Sequence, residues 1–278
     1  MARNPRLTQK IVQAVLWAMT GTTVLILIFI VAFILRRGLP EVGLGFLTRP
    51  PENMGAQGGI FPTIVGTLAL TLIAILIATP LGVGTAIYLT EYTRESRLTR
   101  IIRFGAECLA GIPSILFGLF GFILFVTKLK LGWSILSGGL TLSFMILPTI
   151  IRTSEEAIRS VPAAYREVSA SLGCTKWQTV SRVVLPSALP GITTGVILSV
   201  GRSIGETAAV IFTAGSALHL PTSLFSSSRT MAVHFYILAR EGISMPNAYG
   251  TAAVLVVTIL LINVASYTLM HRFIRKYS

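Results

Sequence analysis

Two charged residues, Arg202 and Glu206, stand in the middle of the apolar segment GITTGVILSVGRSIGETAAVIFTAG. If this segment forms one continuous helix, the two residues are about one turn apart and their side chains share a face. The permanently charged guanidinium of Arg202 offers a planar fork of N–H donors, which matches the oxygens of a carboxylate or of a tetrahedral oxyanion such as phosphate. The pair therefore suggests an anion site inside an apolar environment.

The sequence leaves two interpretations of Glu206 open. It could pair with Arg202 when no anion is bound, or accept a hydrogen bond from a protonated oxygen of phosphate, which would favour a protonated oxyanion over sulfate. The alternative is a structural ion pair that locks two helices together. A charged residue at the centre of a bilayer costs about 2.5 to 3.5 kcal/mol, so both side chains must face protein or water. Gly201 and Gly205, which flank the pair, allow a neighbouring backbone to approach and favour the functional interpretation.

The elements that position these residues must be membrane helices. Hydrophobic residues make up 53% of the 278 residues and charged residues only 12%, whereas soluble domains contain about one-quarter charged residues. A helix needs about 20 apolar residues to cross a bilayer. We therefore predict an all-α polytopic membrane protein, a single domain over 1–278, with these six spans: 11–35, 62–90, 104–127, 131–151, 190–217 and 249–270.

Basic residues are divided unequally between the loops. One side carries 15 Lys and Arg residues, in 1–10, 91–103, 152–190 and 271–278, and the other side carries seven. Because cytoplasmic loops carry the excess, both termini and the 152–190 loop are predicted to lie in the cytoplasm. Membrane topology thus accounts for the net charge of +13, and we predict membrane lipid, not nucleic acid, as the surrounding partner.

Other charged residues near the predicted cytoplasmic side are weaker candidates. Arg152 follows the fourth span, with Glu155 and Glu156 one turn further on. It could line a cytoplasmic exit for an anion or anchor its helix at the lipid headgroups. Glu107, at the start of the third span, could pair with Arg202 or with the loop.

The residues needed for ATP hydrolysis or for a metal site are missing from the sequence. It contains no G-x-x-x-x-G-K-[ST] motif and no Gly-Lys dipeptide, so ATP binding of the usual kind is excluded. The two cysteines and three histidines are scattered without ligand spacing. We predict a non-enzymatic chain without a cofactor or metal of its own, so that any ATP and magnesium would be bound by a partner.

The 39 residues of the 152–190 loop are too polar for the membrane and are patterned as two short helices. The first is predicted from apolar residues that share one face at helical spacing: Val161, Ala164, Val168 and Leu172. Gly173 follows where a left-handed C-terminal cap is needed. The second helix is predicted to begin at Thr175, with Gln178 completing a capping box, and to end at Pro186.

Part of this loop, EVSASLGCTKWQTVSRVVLP, resembles the signature of the membrane subunits of ABC importers. The matching residues are Glu167, Ala170, Gly173, Leu185 and Pro186. Val168 and Ser169 stand where the signature has alanines. The resemblance implies that the first short helix inserts into a groove on a separate ATPase subunit, a known recognition mode of amphipathic helices. A helix that merely lies on the lipid surface is the alternative.

Longer strings resemble the PstA-type permeases of phosphate-specific ABC importers, which have the MetI-like permease fold: GGIFPTIVGTLALTLIAILIATPLGVGTAIYLTEYT, GIPSILFGLF, LPTIIRTSEEAIRSVP and GRSIGETAAVIFTAG. The resemblance implies phosphate import across the bacterial inner membrane. The implied partners are a PstC-type permease, a pair of PstB-type ATPases and a PstS-type phosphate-binding protein. Arg202, Arg152 and Glu206 match charged positions considered important for phosphate passage in that family.

Three alternatives to this interpretation remain open at the level of the sequence. The chain could be the PstC-type paralogue, because both types share the GET segment. It could carry another oxyanion, such as phosphonate, molybdate or sulfate. It could also be an ion-coupled secondary transporter that needs no ATPase, although the patterned 152–190 loop argues against that class.

Overall fold

Most of the chain is helical in the computed structural model, which describes residues 5–93 and 96–277, with side chains from residue 9 to residue 268 inside those ranges. The α-helices are α1 (Pro5–Gly38), α2 (Leu44–Thr48), α3 (Phe61–Ile87), α4 (Arg97–Ala110), α5 (Ser114–Gly121), α6 (Ile135–Arg159), α7 (Ala163–Ser171), α8 (Lys176–Thr179), α9 (Leu185–Ile204), α10 (Ala208–Thr213), α11 (Met231–Arg240) and α12 (Met245–Tyr277). The basic residues Arg3 and Arg94, which were counted for the predicted topology, lie outside the described ranges.

Shorter elements join these helices. Strands β1 (Pro51–Glu52) and β2 (Gln57–Gly58) form a small antiparallel pair. Three π-helical segments, Tyr88–Tyr92, Phe122–Lys128 and Val180–Val184, continue α3, α5 and α8, respectively. We call the end of the bundle that holds 91–93, 96–103 and 152–190 the basic end, and the opposite end, which holds 39–60 and 214–244, the distal end.

Five helical stretches in the described ranges are long and apolar enough to cross a bilayer: Gln9–Glu41, Phe61–Tyr92, Ile135–Arg159, Lys176–Ile204 and Met245–Thr268. The third predicted span, 104–127, is broken instead of straight. It corresponds to α4 and α5, which are bent by 103° relative to each other. Pro113 has no N–H to donate and disfavours a helical conformation at Ile112, which explains the break.

The predicted fifth span, 190–217, is wrong at both ends. The long helical stretch begins at Lys176, in the loop, and stops at Ile204. Pro186 was expected to end the second loop helix, but it lies in the first turn of α9, directly after the π-helical segment Val180–Val184. A proline has no N–H to donate, and its ring crowds the preceding turn of a continuous helix, so the wider π turn before it accommodates the ring.

Helix α6 is the centre of the bundle, and α3 and α9 pack against it. Glycines permit the close approach, since a Cβ on Gly139 would overlap Ile73 of α3 and a Cβ on Gly195 of α9 would overlap Thr153. The buried core between α3 and α6 contains Leu70, Ala74, Ala78, Leu142, Met145, Ile146 and Ile150. In a bilayer such contacts stabilise the fold by close packing, because lipid tails are as apolar as the side chains themselves.

Helix α1 stands apart from this core. Its apolar side chains are exposed, and Trp17 and Phe29 are each 70% accessible. Only its last turns pack on another helix, where the rings of Phe33 and Tyr249 meet edge to face at 6.0 Å. So large an apolar surface on a folded chain indicates contact with lipid or with another subunit.

The distal end is closed by residues 39–60, which fold onto α11 and the start of α12. The Asn247 side-chain amide donates to the carbonyl oxygens of Gly55 and Ala56, both at 3.0 Å. Gly55 adopts a φ of +99°, and a Cβ at this position would overlap the imidazole ring of His234. His234 Nδ1 is 3.4 Å from a nitrogen of Arg229, whose Nε donates to the Ser216 carbonyl oxygen at 2.9 Å.

Burial and, secondarily, the Arg229 guanidinium lower the pKa of His234 from 6.5 to about 4. We therefore expect the protein to lose stability as the pH falls through the window between these two values, because there the unfolded chain binds a proton that the folded chain excludes. Above that window His234 contributes no pH dependence. The full effect is about 3 kcal/mol, since each unit of pKa corresponds to about 1.4 kcal/mol.

Thermal unfolding of the detergent-purified protein at about pH 7.5 and pH 5 measures the part of the effect that lies above pH 5, which is about 2 kcal/mol. Replacement of His234 by asparagine should flatten the pH dependence, whatever it does to the absolute stability. An unchanged pH dependence in that variant would contradict the assignment.

Candidate anion site and docking helix

Arg202 lies on the last turn of α9, on a face of the helix that the rest of the chain leaves uncovered. The other exposed residues on this face follow at helical spacing: Thr194, Leu198 and Gly205. Neither an ion pair nor a hydrogen bond engages Arg202 within the described ranges. The structure therefore presents a free guanidinium on the exposed side of a membrane helix.

The prediction that Arg202 and Glu206 share one helical face is wrong. Helix α9 ends at Ile204, and Glu206 lies in the short break before α10. Its Oε1 accepts the backbone N–H groups of Thr207 and Ala209 at 3.2 and 3.3 Å. The carboxylate thus satisfies backbone donors that the start of a helix leaves without partners, which explains how it is retained at this depth without an ion pair to Arg202.

A polar residue of α12 that sequence reasoning missed lies beside this break. The Asn263 Oδ1 is 4.0 Å from the position that a Cβ on Gly201 would occupy. Gly201 is the neighbour of Arg202, so the Asn263 amide lies close to the candidate site. The sequence alone could have pointed to Asn263, because an asparagine within an otherwise apolar span is a candidate for a functional residue or for a hydrogen bond between helices.

Arg152 lies in a different place from Arg202. It lines a cavity of about 250 Å³ between α4 and α6, together with Arg103, Glu107, Glu155 and Arg159. Because Gly195 meets Thr153 where α9 crosses α6, a rise of 1.5 Å per residue places Arg202 about 10 Å further towards the distal end. Glu107, which was considered as a partner of Arg202, faces this cavity instead.

Carboxylates neutralise the arginines of the α4–α6 cavity. Arg103 and Arg159 both contact Glu155 Oε1, at 2.8 and 2.7 Å. Arg152 Nε lies 3.3 Å from Glu156 Oε1, and both of these side chains are about two-thirds exposed. An exposed pair of this kind is worth less than about 1 kcal/mol, so Arg152 can exchange its carboxylate partner for another anion at low cost.

Helix α7 projects from the basic end with an apolar stripe facing outward. Val168 and Leu172 are 60% and 78% exposed, and Ala164 precedes them on the same side. Val161, predicted to share this stripe, instead precedes the helix and is buried against Ile158 and Val184. Glu167 and Ala170 are also exposed on α7. The helix thus turns this stripe away from the core of the chain.

The turn after α7 is rigid and has the predicted cap. Gly173 has a φ of +78°, and its N–H bonds to the Ala170 carbonyl at 3.0 Å while the N–H of Cys174 bonds to the Ser169 carbonyl at 3.2 Å. These two bonds form a Schellman motif. The predicted capping box of Thr175 and Gln178 is also present.

The departure of Ser169 from the alanine of the signature has a structural reason. Its hydroxyl is buried and lies 2.8 Å from the hydroxyl of Thr179, which ties α7 to α8. At the other end of the signature, Leu185 packs against the buried cluster that contains Ala157 and Ala188, and Pro186 starts α9. The signature therefore spans an exposed helix and the first turn of a membrane helix.

A polytopic helical bundle with a free arginine on a broken membrane helix and an amphipathic helix projecting from one end defines a transport subunit of the membrane. The chain belongs to the family described as binding-protein-dependent transport system inner membrane components, whose model matches residues 78–278. It is thus the permease subunit of an ABC importer and a multi-pass protein of the inner membrane.

Relatives of similar length support this assignment. The chain is 34% identical to the probable ABC transporter permease protein YqgI of Bacillus subtilis (strain 168), over 95% of each chain. It is 33% identical to the phosphate transport system permease protein PstA of Xylella fastidiosa (strain 9a5c), over 86% of this chain and 84% of the relative. For PstA 1 of Mycobacterium tuberculosis (strain CDC 1551 / Oshkosh) the identity is 36%, over 78% of this chain and 71% of the relative.

Solved structures of low sequence identity share the fold. A chain of a bacterial alginate ABC transporter, in complex with an alginate-bound periplasmic protein, matches with a TM-score of 0.70 at 16% identity, over 97% of this chain and 98% of that chain. A chain of the inward-facing MetNI methionine ABC transporter matches with a TM-score of 0.65 at 18% identity, over 77% and 95%. These matches confirm the predicted MetI-like permease fold.

Proposed function

We propose that this permease imports inorganic phosphate, with ATP hydrolysis in partner subunits as the driving force. The observation that carries the proposal is the free guanidinium of Arg202 on the exposed face of α9. A guanidinium fork suits the oxygens of phosphate. The relatives named as phosphate transport permeases support the same substrate.

The two arginines would act in succession. Arg202 would meet the anion first, and Arg152 would receive it about 10 Å closer to the basic end, by the helical rise between the two levels. Both contacts must be weak enough to release the ion. The Glu206 carboxylate has Oε1 committed to backbone N–H groups, and its Oε2 would accept a hydrogen bond from a protonated phosphate oxygen.

The similarity to PstA permeases suggests the partners, and the exposed surfaces suggest where each of them would bind. The apolar stripe of α7, with Glu167, Ala170 and Gly173, would dock on a PstB-type ATPase that binds ATP and magnesium, one for each permease. The exposed apolar face of α1 would contact lipid and a PstC-type permease, whose residues complete the anion site. A PstS-type protein would deliver phosphate to the distal end. In this arrangement the basic end and both termini lie in the cytoplasm, as the excess of basic loop residues indicates.

Another oxyanion is the second candidate substrate, because the guanidinium fork of Arg202 fits sulfate as well as phosphate. Uptake of radiolabelled phosphate and radiolabelled sulfate should be compared in a strain that lacks its own importers for both and expresses the complete complex. We expect energy-dependent uptake of phosphate that excess unlabelled sulfate inhibits little. Uptake of sulfate alone would contradict the substrate, and uptake by the chain without an ATPase would contradict the mechanism.

A further inference from the structure

The side chain of Arg166 points from α7 back towards the ends of α3 and α6. Its Nε and one terminal nitrogen both contact Glu91 Oε1, at 3.0 and 2.7 Å. Glu91 belongs to the π-helical segment Tyr88–Tyr92, which continues α3 at the basic end. The pair joins residues 75 positions apart in the chain. It therefore connects α7 to α3, a membrane helix that is not adjacent to α7 in the sequence.

The same guanidinium also binds the end of α6. It donates to the carbonyl oxygens of Ile158 and Val161 at 2.9 and 2.8 Å. These carbonyls belong to the last turn of α6 and to the linker before α7, where few backbone N–H groups are available to carbonyl oxygens. One side chain of α7 thus makes four polar contacts that hold together the ends of α3 and α6.

Burial distinguishes this ion pair from the exposed pairs of the basic end. The side chains of Arg166 and Glu91 are 28% and 9% exposed, whereas those of Arg152 and Glu156 are 69% and 67% exposed. Removal of one partner from a largely buried pair leaves the other charge uncompensated, which is far more costly than the loss of an exposed pair. A lysine at position 166 could not make all of these contacts. Its compact ammonium lacks the planar fork of N–H donors that binds the Glu91 carboxylate and the two backbone carbonyls together.

We propose that Arg166 is a positioning residue that makes α7 and the basic ends of α3 and α6 move as one rigid body. Displacement of α7 by an ATPase would then reach α3 and α6 through Glu91 and the bound carbonyls. The competing route runs from α7 through α8 directly into α9, since these elements are continuous along the chain. The inference rests on the proposed docking of α7 on an ATPase.

The rigid-body relation can be measured by distance, independently of the substrate. Nitroxide labels on Tyr165→Cys and Tyr88→Cys, both on exposed positions of α7 and the α3 extension, are introduced into the full complex with Cys108→Ser and Cys174→Ser. We expect one narrow distance distribution that is the same with and without bound ATP. Arg166→Gln and Glu91→Gln should each broaden it, whereas the exposed control Arg100→Gln should not.

Transport provides the second readout of the same variants. The number of phosphate ions imported per ATP hydrolysed should fall at least about tenfold in Arg166→Gln and Glu91→Gln while the ATPase rate stays within about twofold, and Arg166→Lys should be intermediate, because a lysine keeps the charge but not the fork. The proposal would be overturned if Arg166→Gln and Glu91→Gln both kept a narrow distribution of the distance between the labels and an unchanged number of phosphate ions imported per ATP hydrolysed. An equal loss of transport and ATPase activity, which indicates a role in docking only, would also overturn it. If the unmodified complex imports no phosphate, phosphate is not its substrate. The distances between the labels then still test whether α7 moves together with α3.

Discussion

Replacement of Arg202 by glutamine is expected to reduce phosphate uptake by about a hundredfold. Hydrogen bonds to a charged group are worth about 1.5 to 3 kcal/mol, and each 1.4 kcal/mol corresponds to a factor of ten. Glutamine keeps a polar side chain of similar reach but loses the charge and the fork. Because Arg202 makes no ion pair or hydrogen bond within the described ranges, its replacement should leave the fold and the assembly intact.

Uptake of radiolabelled phosphate by cells, normalised to the amount of assembled complex, measures this effect. Arg202→Lys retains the charge but lacks the fork of N–H donors. Its phosphate uptake should lie between that of the unmodified protein and that of Arg202→Gln, at about a tenfold loss. Arg240→Gln makes the same chemical change on the exposed distal end and should change uptake less than about twofold, as expected of surface positions. Normal uptake by Arg202→Gln would remove this residue from the anion pathway.

The membrane helices were predictable because a bilayer demands a strong and simple pattern. Runs such as 62–90 and 249–270 correspond to Phe61–Tyr92 and Met245–Thr268 within a few residues. The caps of the loop helices were equally accessible, since Gly173 and the Thr175–Gln178 pair act through neighbours in the chain. Features that depend on apolar length or on local hydrogen bonds can therefore be derived from one sequence.

The breaks in the helices were not predictable from the same pattern. Hydropathy does not distinguish one straight span from two helices such as α4 and α5, which are bent by 103° relative to each other. Pro113 was the local indication of a break in this span. The end of α9 at Ile204 was missed because apolar residues continue beyond it. As a result, Glu206 was predicted on the face of Arg202, whereas it binds the backbone at the start of α10.

Contacts between distant parts of the chain lay beyond the sequence for a different reason. The helical spacing of 152–190 indicates an exposed stripe, but it carries no information about the inward face of α7. Glu91 and Arg166 look like ordinary residues at the ends of helices, and only the packing of α3 beside α6 brings them together. The same holds for Asn263, whose position beside Gly201 depends on how α12 crosses α9.

The second large effect is expected on α7, where replacement of Val168 by aspartate should abolish association with the ATPase subunit. Val168 is 60% exposed in this chain and lies on the stripe with Leu172, so the variant should fold normally. In a groove, however, the new carboxylate would be desolvated without a partner, at a cost of several kcal/mol. A loss of that size is at least about a hundredfold in affinity. Co-purification of the ATPase with the tagged permease measures it directly.

The matched control is Leu44→Asp, which places the same charge on an exposed apolar position of the distal end. It should retain the ATPase, because that end lies across the bilayer from the docking stripe. If Val168→Asp also retains the ATPase, the stripe is not the docking surface, and the lipid surface becomes its remaining partner. If both variants lose the ATPase, added charge disturbs assembly in general and the stripe has no special role. Loss in Val168→Asp alone would assign the contact to α7.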